Sequence, residues 1–374
     1  MVEKRPLAKP GSKAPPQASA QEPSTPASKG SSKGSEAARA QEGTSDDGIP
    51  VCPRPMPPLS LAEHVVVVLV LIAVCGGYYL VPLIAGVVAW RLWSNQSDAA
   101  AWTVLALLAA SAAWPTRNIP SLRRAWVLQC VAKYFAFRWI DDSGQGISDL
   151  GDPSRDKRFL AVWFPHGIIP LGCFLAASEF DTRLPGYFGR MAVAPALLRV
   201  PLLRQLFGSF GAIPNDRRSM LGALGRGEHL SLFPGGIAEL FLSSRQREAV
   251  YLTKRKGFVK MALQTGTSIL PIYVFGHTQM FDQVSDLEFM ARVSRFLRTS
   301  ITVFWGRWCL PLPHRVPVTM ARGKPIHVLE RIKDPSKEQI EELHAKVVAE
   351  VKKLYERHKA AAGPAFATKH LAVL

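Results

Sequence analysis

"FLAVWFPHGIIPLG", running from Phe159 to Gly172, decides how the rest of the chain is read. A β-rich run, Phe159 to Phe164, stops at Pro165, His166 and Gly167, after which a second apolar run begins. An apolar run closed by Pro and Gly predicts a buried strand ending in a tight turn. Imidazole is the side chain whose ordinary pKa suits proton transfer near neutral pH. A lone histidine at such a turn is more often a hydrogen-bonded structural residue, so a second feature must choose between the two readings.

That feature is "HLSLFPGGIAELF", residues 229 to 241. It repeats the plan of the first turn: a strand-like start, then Pro234, Gly235 and Gly236, with a carboxylate at Glu239. Two strand-end turns, one with His and one with Gly-Gly and Glu, form a candidate acid/base pair with backbone N–H groups nearby. Glu239 also reads as a helix-opening carboxylate that favours the helix dipole. Between the two lies "GSFGAIPNDRRSM" (208–220), a predicted strand ending in a polar, basic turn. A third stretch, "TKRKGFVKMALQTGTSILPIYVFG" (253–276), places Lys254, Arg255 and Lys256 just before a predicted helix that begins at Gly257. Cations at a helix N-terminus suit phosphate groups. Three basic residues are also commonly a solvated edge.

Strands are predicted at 158–164, 209–213, 229–233, 268–274 and 301–305, and helices at 194–207, 257–265 and 336–360. The last helix follows Pro335, takes Ser336 as its cap and carries Ile340, Leu343, Val347, Val351 and Leu354 at helical spacing. The alternation implies an α/β domain, a sheet flanked by helices, over residues 116–374. The stretch 121–139 reads as a helix that lies on a membrane surface or packs on the domain.

Upstream, Val65 to Trp90 contains no charged residue and exceeds the roughly 20 residues needed to cross a bilayer core. A shorter apolar run, Ala99 to Trp114, follows, and tryptophans sit near the ends of both runs. Together they predict a transmembrane helical hairpin over residues 59–115. Arg54 precedes the pair and Arg117, Arg123 and Arg124 follow it, which puts both ends in the cytosol. Residues 1–58 are rich in Pro, Ala, Ser, Gly and Lys with no aromatic side chain, and predict a disordered tail.

The chain has 374 residues and a formal charge of +17, a basic excess that serves nucleic acid, anionic lipid or an anionic substrate. No zinc-finger, basic-zipper or RNA-recognition signature supports the first. Five widely spaced cysteines without a CxxC pair argue against a disulfide framework and a Cys-based zinc site. No HExxH, EF-hand, P-loop or GxSxG pattern is present, and no metal site is predicted.

In order along the chain, "FPHGIIPLG", "GAIPNDR", "FPGGIAELF", "RKGFVKMALQTGTSILPIYVFGHTQMF", "GKPI" and "LHAKVVAEVKKLYERHK" resemble the blocks of the type-2 diacylglycerol acyltransferase family. The resemblance covers roughly residues 60 to 360. It implies a glycerophosphate-acyltransferase-like fold, an endoplasmic-reticulum or lipid-droplet location, and acyl transfer from acyl-CoA to a neutral-lipid hydroxyl, with no cofactor beyond acyl-CoA as substrate. The implied partners are acyl-CoA, diacylglycerol and the bilayer but not nucleic acid, and an oligomer is compatible with it. Monoacylglycerol, a long-chain alcohol or a lysophospholipid are alternative acceptors, and a non-catalytic lipid-droplet protein is a remote alternative.

Under this resemblance His166 is the general base and Glu239 holds its imidazolium and tautomer. Backbone N–H groups around Gly167, Gly235 and Gly236 stabilise the oxyanion, and Lys254, Arg255 and Lys256, with the helix opening at Gly257, hold the CoA phosphates. Two departures stand out. Phe164 occupies a place where many members carry His, and with Pro165 it is read as a wall of the substrate pocket. Leu171 stands where the glycerophosphate acyltransferases carry the Asp of a His–Asp dyad. The loop 217–228 also reads as shorter than is usual.

Overall fold

The computed structural model describes residues 43–44, 50–51, 55–94, 99–142, 158–183, 189–242, 244–284, 292 and 302–374. The predicted tail therefore lies almost entirely outside the described residues.

Seven strands build the central sheet: β1 (Arg138–Asp141), β2 (Phe159–Phe164), β3 (Arg190–Val193), β4 (Ala212–Pro214), β5 (Leu230–Leu232), β6 (Ser268–Phe275) and β7 (Thr319–Arg322). Their order across the sheet is β1-β7-β6-β2-β5-β3-β4. The five strands from β6 to β4 run parallel, whereas β7 is antiparallel to β6 and β1 is parallel to β7.

Strand β2 sits in the middle, and all six of its residues are buried. A strand covered on both faces needs apolar side chains at every position rather than at alternate ones. Phe159, Ala161 and Trp163 join a core layer with α1 (Leu61–Trp93), α3 (Trp126–Tyr134), α4 (Gly172–Arg183) and α5 (Leu203–Ser209). Leu160, Val162 and Phe164 join the opposite layer with α8 (Gly257–Thr265) and α9 (Lys337–Ala362). The period-2 alternation of a strand thus sorts one continuous apolar run between two helical layers.

The two long predicted elements on that second layer are found where the sequence puts them. α8 ends at Gly266, whose φ of +64° is a left-handed cap that a side chain would strain. α9 opens with a capping box between Ser336 and Gln339 and buries Leu343, Val347, Val351 and Leu354.

Elsewhere the elements differ from expectation. The predicted helix at 121–139 divides into a 3₁₀ turn (Pro120–Arg124), α3 and β1. Phe135 ends α3, and Ala136, at φ +43°, precedes the strand. The predicted helix at 194–207 breaks at Leu202, whose φ is +66°, leaving a 3₁₀ turn (Leu197–Arg199) and α5. The strand expected at 209–213 starts later, as β4, because α5 runs through Ser209. The basic turn after β4 is the helix α6 (Arg217–Gly225), capped by the Asp216 carboxylate on Ser219 N. The strand expected at 301–305 contributes only Phe304–Trp305, paired with Asp282–Gln283 outside the main sheet.

α1 is long and apolar enough to cross a membrane, and α2 (Ala99–Ala113) packs beside it. Gly76 and Gly77 let α1 approach the domain closely. A Cβ on Gly76 would lie 2.8 Å from Pro311 Cγ, and one on Gly77 would lie 2.9 Å from Leu203 Cδ2. Lys133 of α3 pairs with Glu63 near the start of α1 at 2.9 Å.

Candidate active site

Strands β5, β2 and β6 are neighbours and parallel, with Leu160 opposite Leu230 and Phe164 opposite Tyr273. Their C-terminal ends therefore open at one edge, where α/β sheets place their ligands. The turn after β2 carries His166, the turn after β5 carries Gly235 and Gly236 and leads into the short helix α7 (Ile237–Leu240) with Glu239, and the turn after β6 carries His277.

His166 follows the cis peptide Phe164–Pro165 and is half-buried. Its Nδ1 lies 2.8 Å from the carbonyl oxygen of Gly167. A carbonyl only accepts, so Nδ1 carries the proton and Nε2 keeps its lone pair. Nε2 has no hydrogen-bond partner among the described residues. Burial lowers the pKa of His166, opposed by the bond to Gly167, and so favours the neutral ring. Phe233 packs edge-on against the imidazole, with ring centroids 5.3 Å apart.

Glu239 bolts the first two turns together. Its Oε2 accepts the backbone N–H of His166 at 2.6 Å, and its Oε1 accepts that of Tyr251 at 2.9 Å. The expected contact with the imidazole ring is replaced by this contact with the backbone. The tautomer is set by the Gly167 carbonyl instead. Glu239 is fully buried, and burial raises its pKa to about 7 despite the two amides and the nearby Arg255 cation. Gly235 is required by this packing, since a Cβ there would lie 2.0 Å from the Glu239 carboxyl carbon.

His277 is a third component that the motif reading passed over. It is 2% exposed; its Nδ1 donates to Pro165 O over 2.9 Å, and its Nε2 accepts from Gly172 N over 2.7 Å. Desolvation of the ring lowers its pKa to about 4, against the opposing effect of the bond to Pro165. His277 thus spans the start and end of the Pro165–Gly172 turn. Gly167, at φ +62°, leaves room for it: a Cβ there would lie 3.1 Å from His277 O. Behind it, the buried Glu248 accepts from the hydroxyls of Tyr273, at 2.8 Å, and Thr278.

Phe164 does not share the surroundings of His166. It is fully buried in the layer toward α8 and α9, so it is a core residue, and Phe233 takes the place of the aromatic wall beside the imidazole. Pro165 is buried within the turn, and Leu171, the residue at the missing dyad position, is buried in the opposite layer.

The basic triplet is divided. Lys254 is exposed, Arg255 reaches Gly235 O at 3.4 Å and lies over the Tyr251 ring, and Lys256 pairs with Glu341 of α9. α8 begins at Gly257, which is exposed. The strand Ala249–Val250, just before Tyr251, pairs in parallel with Ala372–Val373. The Leu374 carbonyl then accepts the amides of Leu252 at 2.9 Å and Thr253 at 2.8 Å.

The sequence profile of the family described as Diacylglycerol acyltransferase matches residues 99–372. Acyl-CoA wax alcohol acyltransferase 2 of Mus musculus is 32% identical over 56% of this chain and 68% of its own length. The 2-acylglycerol O-acyltransferase 1 of Bos taurus is 30% identical over 56% of this chain and 67% of its own. Diacylglycerol O-acyltransferase 2 of Dictyostelium discoideum is 29% identical over 65% and 76%.

Proposed function

Because the chain belongs to the diacylglycerol acyltransferase family, we propose that it transfers an acyl group from acyl-CoA to the free hydroxyl of diacylglycerol, forming triacylglycerol. The observation that carries the mechanism is the His166 ring, whose Nδ1–H is committed to Gly167 O while Nε2 has no partner among the described residues. Nε2 takes the acceptor's hydroxyl proton as that oxygen bonds to the thioester carbon. The carbon–sulfur bond then breaks, and the proton passes to the departing CoA thiolate. No enzyme nucleophile is needed, because the thioester is already activated.

The backbone amides of Gly167, Gly235 and Gly236 are the candidate donors to the tetrahedral oxyanion. Arg255 is the member of the basic triplet tied to the second turn, and it holds a CoA phosphate with Lys254 beside it. Glu239, His277 and Phe233 are positioning residues. The fold is akin to that of the glycerophosphate acyltransferases, with the His277 clamp standing where the His–Asp dyad is missing. α1 and α2 form a membrane hairpin, so the domain works at the endoplasmic reticulum surface or on lipid droplets, with both ends in the cytosol.

The relatives named for wax alcohol and 2-acylglycerol acylation favour testing those acceptors in parallel. Expression in triacylglycerol-deficient yeast, with lipids resolved by thin-layer chromatography, should restore a triacylglycerol spot. His166→Ala should reduce transfer by about 10²–10⁴-fold at equal membrane protein level. Activity above a tenth of wild type would sink the base assignment. Wax ester as the main product would move the acceptor to a long-chain alcohol.

A further inference from the structure

Besides Ala136, every non-glycine residue at positive φ among the described residues lies beside the glycine pair of α1. Leu202 (φ +66°) immediately precedes Leu203, which packs on Gly77. Trp308 (φ +56°) and Cys309 (φ +57°) sit in a turn whose Pro311 packs on Gly76. Each such residue holds a strained backbone conformation that its surroundings must enforce.

What the strain achieves is exposure of apolar side chains: Leu202 is 54%, Trp308 62% and Leu310 42% exposed. The Trp308 turn is built to hold that shape. Gly306 N donates to Leu310 O and Arg307 N to Leu312 O, each at 2.8 Å, and Leu312 is fully buried as the anchor. Arg307 stacks on the Trp308 ring at 4.6 Å and reaches the Tyr134 hydroxyl at 3.4 Å, bracing the indole from below. Val303 is also exposed, while Tyr79 of α1 donates to Thr302 O and its ring lies tilted against Phe304, centroids 5.9 Å apart.

Pro311 of this turn and Leu80 both meet Gly76, so the turn borders the exposed apolar face of α1 that carries Leu80, Leu83, Ile84 and Val87. On one face α1 buries Val67, Leu71, Cys75, Gly76 and Gly77, while Leu61, Val65 and Leu69 on its other face are exposed. The ~16 residues after Gly77 measure about 24 Å at 1.5 Å per residue, less than the ~30 Å of a bilayer core. Tips at this level meet the lipid boundary, where Trp backed by Arg is favoured.

We propose that Leu202 and the Trp308–Leu310 turn insert into the lipid beside α1 and set the depth at which the domain sits on the membrane. The inference rests on α1 lying in the bilayer and does not depend on the reaction catalysed.

Cys309 supplies the probe, because it is exposed whereas Cys75, Cys130 and Cys173 are buried. The full chain carrying Cys52→Ser is labelled at Cys309 with a nitrobenzoxadiazole dye and reconstituted into phosphatidylcholine vesicles. A second chain, Cys52→Ser/Cys309→Ser/Lys337→Cys, places the dye at the exposed start of α9. Spin-labelled phosphatidylcholine should quench position 309 at least about twofold more than position 337, and aqueous iodide should show the reverse. Iodide quenching at 309 equal to that at 337 overturns the proposal. Shielding of 309 from both quenchers also overturns it, by assigning the tip to a second protein copy.

Discussion

The Nδ1 of His277 donates to the carbonyl oxygen of Pro165 across 2.9 Å, tying the end of β6 to the turn that carries His166. Two residues more than a hundred positions apart thereby share one rigid corner. Replacing His277 with Ala removes that bond and leaves Gly172 N–H without its acceptor. The orphaned buried amide costs about 1–3 kcal/mol of stability. Displacing His166 by about 1 Å can cost on the order of 10²-fold in rate. We expect kcat to fall at least tenfold with little change in KM for acyl-CoA. The acid limb should stay where wild type has it, since His277, at about 4, is neutral throughout the working range. A shifted limb would make His277 a proton carrier instead.

Glu239 gives a second, pH-dependent test. Its folded pKa of about 7 lies above the ordinary carboxylate range. Between the ordinary value and about 7, the folded chain holds a proton that the unfolded chain has lost. This group's contribution to stability therefore falls as pH rises through that window. Its ability to accept both backbone amides runs the other way, being complete only above about pH 7. Wild-type kcat should rise through neutrality. Glu239→Gln, which cannot titrate and leaves one amide unpaired, should be slower throughout and should lose the step near pH 7. A variant profile with that step unchanged would remove Glu239 from the account.

Phe164, read from the sequence as a pocket wall, is buried in the core, and Phe233 stands beside His166 instead. Phe164→His buries a polar ring among Tyr273, Phe275 and other apolar groups, and thermal unfolding should show a loss of roughly 2 kcal/mol or more. Phe233→Leu should instead leave stability close to wild type and lower kcat, because Phe233 sets the face on which His166 rests. Full activity and stability in Phe164→His would restore the pocket-wall reading.

For acyl-CoA, the divided triplet makes the prediction residue-specific. Arg255→Ala should raise KM for acyl-CoA more than Lys256→Ala does, because Lys256 is already engaged by Glu341. Steady-state kinetics with diacylglycerol held saturating separates the two. Equal effects would place the phosphates across the whole triplet.

The sequence makes the two matching turns legible because each is local: strand, proline, glycine and polar residue lie within a dozen positions. It hides the third component because His277 reads like any histidine after a strand. His229, His277 and His166 look alike in one dimension, yet two are desolvated structural groups, while the third keeps a ring nitrogen without a partner among the described residues. An unbroken apolar run does not show which of the two buried layers each residue of β2 faces, so spacing alone does not separate Phe164 from the side of His166. β1 and β7 are short, and their Asp141–Arg322 pairing joins polar residues that carry no strand signal. α6 was hidden by its basic opening, where only the Asp216 cap marks a helix.

The pairing of Ala372–Val373 with Ala249–Val250 makes the segment that carries Tyr251 depend on residues synthesised more than a hundred positions later. A ribosome that has delivered everything through α9 has already made His166, Glu239 and the Lys254–Lys256 triplet. It has not made the strand whose carbonyl secures Leu252 and Thr253 next to Tyr251, the donor to Glu239. A chain cut before residue 372 therefore keeps α1 and most of the sheet but loses the contacts that steady the segment around Tyr251.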